Sequence, residues 1–226
     1  MERRPPLAGA GRFRKAALLL ATLSATALLP ELLQAQLRPD PTRLDLSRPL
    51  TYYIADGAPG SGFREGDRAL AEWALQSWAR QADPSLRLEP APEAEATIRL
   101  RFTSAGEGRY GEMMAHWVGG RRVVDVFVHP DTDGLGPDVA PLARLDPLFR
   151  DTIVYLTCVH ELGHAFGLAH TAAFADIMYS FQFGGDFAAY FLRFRRQLEE
   201  RDDISAVSPF SAGDIAALTA LYGGRR

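Results

Sequence analysis

Apolar positions along the chain recur with two periods, and the changes of period mark off strands and helices. Leu50 to Ala55 (LTYYIA) carries the β-branched and aromatic residues of a strand, and Asp56-Gly57-Ala58-Pro59-Gly60 ends it with turn residues. Over Arg68 to Gln81 the period lengthens. Leu70, Trp73, Ala74, Ser77 and Trp78 recur at three- and four-residue spacing, which predicts a helix closed by Asp83-Pro84. Leu86 to Leu88 and Thr97 to Phe102 read as two further strands. In the second, Ile98, Leu100 and Phe102 alternate with polar neighbours, as in a sheet with one wet face. Met113 to Val118 and Val123 to Val128 flank Gly119-Gly120, the signal of a tight hairpin. Strand, helix, strand, strand is the opening of a mixed α and β domain, and no internal repeat is visible.

Pro137 to Pro147 reads as loop with room for short helical turns. The next helix starts near Asp151, whose carboxylate is placed to cap it and to meet the positive end of its dipole. Ile153, Val154, Leu156, Thr157 and Val159 supply its buried body. Later, Phe187, Tyr190, Phe191, Phe194 and Leu198 fall at helical spacing opposite Arg195, Arg196, Glu199 and Glu200. That polar face mixes charges instead of being basic, which argues against a helix lying on a membrane surface. Ser211 to Tyr222 (SAGDIAALTALY) forms a closing helix with Ser211 as cap and Gly223 as stop.

The candidate chemistry sits in His160 to His170, HELGHAFGLAH. On a helix, His160 and His164 stand one turn apart, because four residues at about 100° each return the side chain to within about 40°. Glu161 can then reach a water held where the two imidazoles point, the arrangement of a zinc-activated hydrolase. Gly167 stands where a helix commonly ends in a left-handed residue, so the chain can reverse and deliver His170. Three neutral nitrogens with one open position suit a catalytic zinc. A buried helix whose histidines merely satisfy carbonyls is the plainer reading, but three histidines on one face are costly to bury without metal or partners.

These residues resemble the metzincin zinc metallopeptidases, whose companion turn containing methionine is matched by Asp176-Ile177-Met178-Tyr179. Thr171 after the third histidine and Tyr179 after the methionine look most like the matrixin branch, and the likeness extends over residues 48 to 223. The resemblance implies an α+β fold: a twisted, mostly parallel sheet with an antiparallel edge strand, an active-site helix and a C-terminal helix. It implies zinc on His160, His164 and His170, Glu161 as general base, and Met178 beneath the metal without binding it. Asp214 matches an aspartate that braces the methionine turn, whereas Gly213 replaces the other aspartate of that pair. Ala115-His116-Trp117 looks like the family's edge strand above the cleft, beside which an extended substrate can lie as an added strand. A second, structural zinc through His116 lacks its further ligands, because Phe127 stands where a histidine is expected. His129 to Gly134 offers oxygens for calcium, or is a plain polar turn. Residues 181 to 210 exceed the family pattern. They form either an added helix packed on the lower subdomain or a wall of the pocket for the residue after the scissile bond.

Composition changes this picture at the amino terminus. Arg3, Arg4, Arg12, Arg14 and Lys15 precede the apolar run Ala16 to Leu29, the order of a secretory signal. That run is short of the roughly 20 residues a span needs. Cleavage after Ala35 is expected, with an uncleaved anchor as the alternative. The organisation is then a signal peptide over 1–35, a proline-rich linker over 36–49 and the peptidase domain over 50–226. Removing residues 1–35 takes away five basic and two acidic residues, which moves the formal charge from −3 to −6. On that charge no nucleic-acid partner is expected, nor any membrane contact after cleavage. Cys158 is the only cysteine, so no disulfide framework can form within the chain; it reads as a small buried apolar residue. The expected function is a secreted zinc endopeptidase acting on protein or peptide substrates. A peptide-binding or adhesive module that keeps the metal without turnover is the alternative, against which the intact Glu161 argues.

Overall fold

The computed structural model describes residues 42–83, 86–104 and 110–223; the expected signal segment and residues 36–41 of the linker lie outside the described residues. Strands β1 (Leu50–Ile54), β2 (Leu88–Pro90), β3 (Ile98–Phe102), β4 (Gly111–Val118) and β5 (Arg121–Val128) form one sheet in the order β2-β1-β3-β5-β4. All neighbours are parallel except β4 and β5, which join through Gly119-Gly120. Both glycines have positive φ, 56° and 77°, the conformation that lets a two-residue turn match the twist of its strands. The mostly parallel sheet with an antiparallel edge strand is therefore the expected one. β2 lies two residues later than the pattern suggested, because the partners of Leu50 to Tyr52 are Leu88 to Pro90.

Alternation sets the two faces of the sheet. Ile98, Leu100 and Phe102 and, opposite them, Val124, Val126 and Val128 are at most 1% exposed. The other face carries Arg99, Arg101, Asp125 and Phe127, and Arg101 donates to the Asp125 carboxylate at 2.5 Å. Helix α1 (Asp67–Ala82) covers the apolar face with Leu70, Ala74 and Trp78, each fully buried. Each large apolar side chain removed from water there stabilises the fold by about 1.5–3 kcal/mol.

A short helix α2 (Ala140–Leu145) leads into α3 (Pro147–Ala165). The latter starts earlier than expected, and Asp151 is not its cap. Asp146 is extended and accepts from the amides of Leu148 and Phe149 at 3.0 and 3.1 Å, and Pro147 at the first helical position loses no bond. Asp151 lies within the helix and pairs with Arg201 at 2.7 Å. Arg150, 1% exposed, donates to the buried carboxylate of Asp67 and to the carbonyls of Gly62 and Pro130, so the starts of α1 and α3 are bound together. Removing either partner would strand a buried charge.

Helices α4 (Phe187–Arg195), α5 (Asp203–Ala206) and α6 (Ala212–Tyr222) follow. Ser211 caps α6 in a reciprocal pair: its hydroxyl accepts from the Asp214 amide and its own amide donates to the Asp214 carboxylate. Gly223 follows as the stop with φ −70°, in ordinary rather than left-handed conformation. Residues 42–49, read as linker, pack on the domain, because Leu44 is apolar and buried and its amide donates to the Tyr222 hydroxyl at 3.1 Å. No helix among the described residues is long and apolar enough to cross a membrane.

Candidate metal centre and cleft

Helix α3 ends so that the chain folds back over its own last turn. Gly167 has φ +96°; its amide donates to the His164 carbonyl and the Leu168 amide to the Gly163 carbonyl, each at 3.0 Å. These are the two bonds of a Schellman ending, which needs a left-handed residue. A Cβ on Gly167 would also lie 2.8 Å from the carbonyl oxygen of Thr42. The reversal brings His170 against His160 and His164.

Two of the three imidazoles are oriented by backbone. Nδ1 of His160 faces the Ile177 carbonyl at 2.7 Å, and Nδ1 of His164 faces the Leu168 carbonyl at 2.9 Å. A carbonyl oxygen only accepts, so each Nδ1 carries the proton and each Nε2 is left with a bare lone pair. Nε2 of His170 lies 3.1 Å from both of the others. Nitrogens around a tetrahedral zinc at about 2.0–2.1 Å are about 3.3 Å apart, so this donor set fits one such ion. Burial is the main cause that holds all three pKa values down, His160 at about 4, and the neighbouring imidazoles add to it for His160 and His164. All three are neutral at pH 7, the form in which histidine binds metal.

Glu161 is 7% exposed, and burial followed by the charge of Glu112 pushes its carboxyl up to about 8. The edge strand passes directly over it. A Cβ on Gly111 would lie 2.6 Å from Oε1 of Glu161, so the strand approaches this closely only with glycine there. Nothing in the local pattern of the sequence singled out Gly111, since its constraint is a contact across 50 residues.

Beneath the triad, Met178 is fully buried with its sulfur against Gly163, where a Cβ would overlap it. Asp214 accepts from the Ile177 amide at 2.9 Å and the Met178 amide at 3.4 Å, which ties the start of α6 to this turn. Thr171 joins the same turn, donating its amide to the Met178 carbonyl at 2.8 Å. The Tyr179 hydroxyl donates to the Gly184 carbonyl at 2.5 Å.

A cavity of about 240 Å³ opens beside His160, Glu161 and His170. Leu156 and Thr157 of α3 form one wall, and Phe187, Tyr190 and Phe191 of α4 another, with Tyr110 at the approach to β4. α4 thus lines the cavity and also packs on the domain, where Phe194 stacks on Tyr155 at 5.5 Å. Tyr110 is a wall that sequence reasoning missed.

The two other metal positions considered lack a suitable ligand set. Nδ1 of His116 faces Asp125 at 3.4 Å, and among the described residues only His160, His164 and His170 bring three metal-binding groups together. In the 129–134 turn, Asp133 pairs with Arg144 at 2.6 Å and the Pro130 carbonyl accepts from Arg150. Two guanidinium groups at these oxygens do not suit a cation that takes 6–8 of them. Cys158 is fully buried, and burial raises its thiol pKa, as befits an inert core residue.

A profile of the family described as Matrixin matches residues 46–207, the sheet, the histidine triad, the methionine turn and α4. The chain belongs to the matrixin family. Matrixins are zinc enzymes, and the three neutral imidazoles are what such an enzyme requires. This matrixin domain is 28% identical to an interstitial collagenase of Sus scrofa over 141 residues, 58% of the chain and 26% of that protein. With an interstitial collagenase of Oryctolagus cuniculus it shares 27% identity over 170 residues, 70% of the chain and 32% of that protein. The chain thus spans about a quarter to a third of the length of these curated relatives.

Proposed function

We propose that this matrixin domain is an exported zinc endopeptidase in which His160, His164 and His170 hold the metal and Glu161 is the general base. The observation that carries the reading is the convergence of three neutral Nε2 atoms, two pairs of them 3.1 Å apart, beside the cavity that His160, Glu161 and His170 line. Zinc bound there supplies a Lewis acid for the scissile carbonyl and activates water near neutral pH. The high pKa of Glu161 belongs to the metal-free site; a cation on the three histidines would favour its ionised form, which takes the proton from the attacking water and returns it to the leaving amine. The backbone carbonyls of Ile177 and Leu168 keep two imidazoles in the metal-binding tautomer.

β4 borders the sheet, so an extended peptide can pair with it and cross the cleft regardless of sequence. Selectivity then rests on the aromatic cavity. Its volume and the rings of Phe187, Tyr190 and Phe191 favour one large apolar side chain after the scissile bond. The basic then apolar order of residues 3–29 supports export, with residues 1–35 removed. A peptide-library digest tests this: cuts before large apolar residues, abolished by chelation and restored by zinc, are expected. Purified chain that holds no zinc at neutral pH would refute it.

A further inference from the structure

We infer that Tyr190 of the added helix α4 is a positioning residue for His160, so that the segment walling the cavity also helps to hold the metal ligand. This rests on the proposed zinc site. The Tyr190 hydroxyl lies 3.0 Å from the Ile177 carbonyl oxygen and 3.2 Å from that of Asp176. The Ile177 oxygen is the same atom that accepts from Nδ1 of His160 at 2.7 Å. A carbonyl oxygen has two lone pairs, and here one is taken by the tyrosine and the other by the ligand.

The peptide at Ile177 is held from both ends. Asp214 accepts its amide at 2.9 Å, and the Tyr190 hydroxyl fixes its carbonyl. His160 can aim Nε2 at the metal only as well as that carbonyl is fixed, because the bond at Nδ1 sets both the ring's rotation and its tautomer. The hydroxyl has little freedom of its own. Tyr190 is 3% exposed, its ring lies 5.2 Å from that of Phe181 and 5.7 Å from that of Phe174, and the Arg193 guanidinium sits 4.0 Å over its face. Arg193 in turn donates to the carbonyls of Phe174 and Asp176, so α4 meets the loop before Met178 through a row of carbonyl contacts. His164 is oriented through Leu168 and has no such link to α4.

The test is Tyr190→Phe, which keeps the ring and removes only the hydroxyl, assayed by zinc competition with a chromophoric chelator and by the visible spectrum of the cobalt-loaded protein. Zinc affinity is expected to fall about 10–100-fold, the range for loss of such a supporting bond, with an altered cobalt spectrum. Arg196→Gln, at an exposed position just past the end of α4, is expected to bind zinc within about twofold of the parent. A second measurement needs no variant. In the parent chain the Tyr190 hydroxyl proton and the His160 Nδ1 proton, directed at one oxygen, should exchange slowly with solvent and show a mutual nuclear Overhauser effect. Parental zinc affinity and cobalt spectrum in a folded Tyr190→Phe would overturn the inference while leaving the zinc reading intact. Should that variant not fold, separate, fast-exchanging protons in the parent would overturn it. A parent chain that binds no zinc would remove both.

Discussion

From β1 to the middle of α3, order comes from apolar faces that meet: Leu100 and Val126 on the sheet, Leu70 and Trp78 on α1 and Ile153 on α3 are all at most 2% exposed. From Leu168 to Tyr222 it comes mainly from side chains bonded to loop backbone, with Asp214 on two amides, Tyr190 on two carbonyls and Tyr222 on the Phe166 carbonyl. The first region is a platform and can lose a side chain while the site, once folded, stays as it was. In the second, bonds such as that of Asp214 also locate the methionine turn or a histidine, so stability and metal binding are lost together.

Substitutions that separate the two quantities sharpen this contrast. Leu100→Ala, in the platform, should cost about 2–5 kcal/mol by opening a cavity, and zinc affinity of the folded fraction should be unchanged. Denaturant melts and zinc titration of the same sample check both halves. Gly167→Val lies where the regions join, and it should cost about 1–3 kcal/mol from positive φ alone, more from the clash with Thr42, and weaken zinc because His170 is displaced. Asp214→Ala should cost about 1–3 kcal/mol by stranding the Ile177 and Met178 amides, with a 10–100-fold loss of zinc affinity by competition assay. If Asp214→Ala left zinc affinity at the parental value, the contrast between platform and turn would be wrong.

A pH-dependent effect concerns Glu161 with metal removed by chelation. Its carboxyl titrates at about 8 when folded, against an ordinary value of 4.5, because it is buried and faces Glu112. The folded chain therefore holds a proton that the unfolded chain releases, so stability from this group is full below about 4.5 and is lost as pH rises through about 8. Glu161→Gln should match the parent in acid and become the more stable of the two between those limits, with a constant difference above them. Parallel melts at several pH values, with a gap that failed to open as pH rises, would contradict the assignment.

How far the sequence disclosed this follows the same division. The platform was legible because its signals are local: alternation at Ile98, Leu100 and Phe102, three- and four-residue spacing over α1, and the i, i+4 histidines. Gly167 was legible for the same reason, as a glycine just past a periodic helix. The start of α3 was missed although its signal was local. Asp146 followed by Pro147 is a cap and a first helical position, and Asp151 competed only because it preceded the apolar run. Gly111, Tyr110 and Tyr190 carry no local mark of their roles, since each acts on a residue far along the chain. The pattern at Phe187 to Leu198 gave the helix but not which of its sides faces the cavity, because an amphipathic face packs equally well on a core or around a cleft.

The central claim is that one zinc on His160, His164 and His170 works with Glu161 to hydrolyse peptides, in contrast to a metal-bearing module that only binds them. The most direct measurement is the rate of peptide cleavage by the parent and by Glu161→Gln at equal, verified zinc content. One zinc per molecule is expected in both, with the rate of the variant lower by about 10²–10⁴-fold. Equal rates, or no cleavage by a fully zinc-loaded parent, would contradict the account.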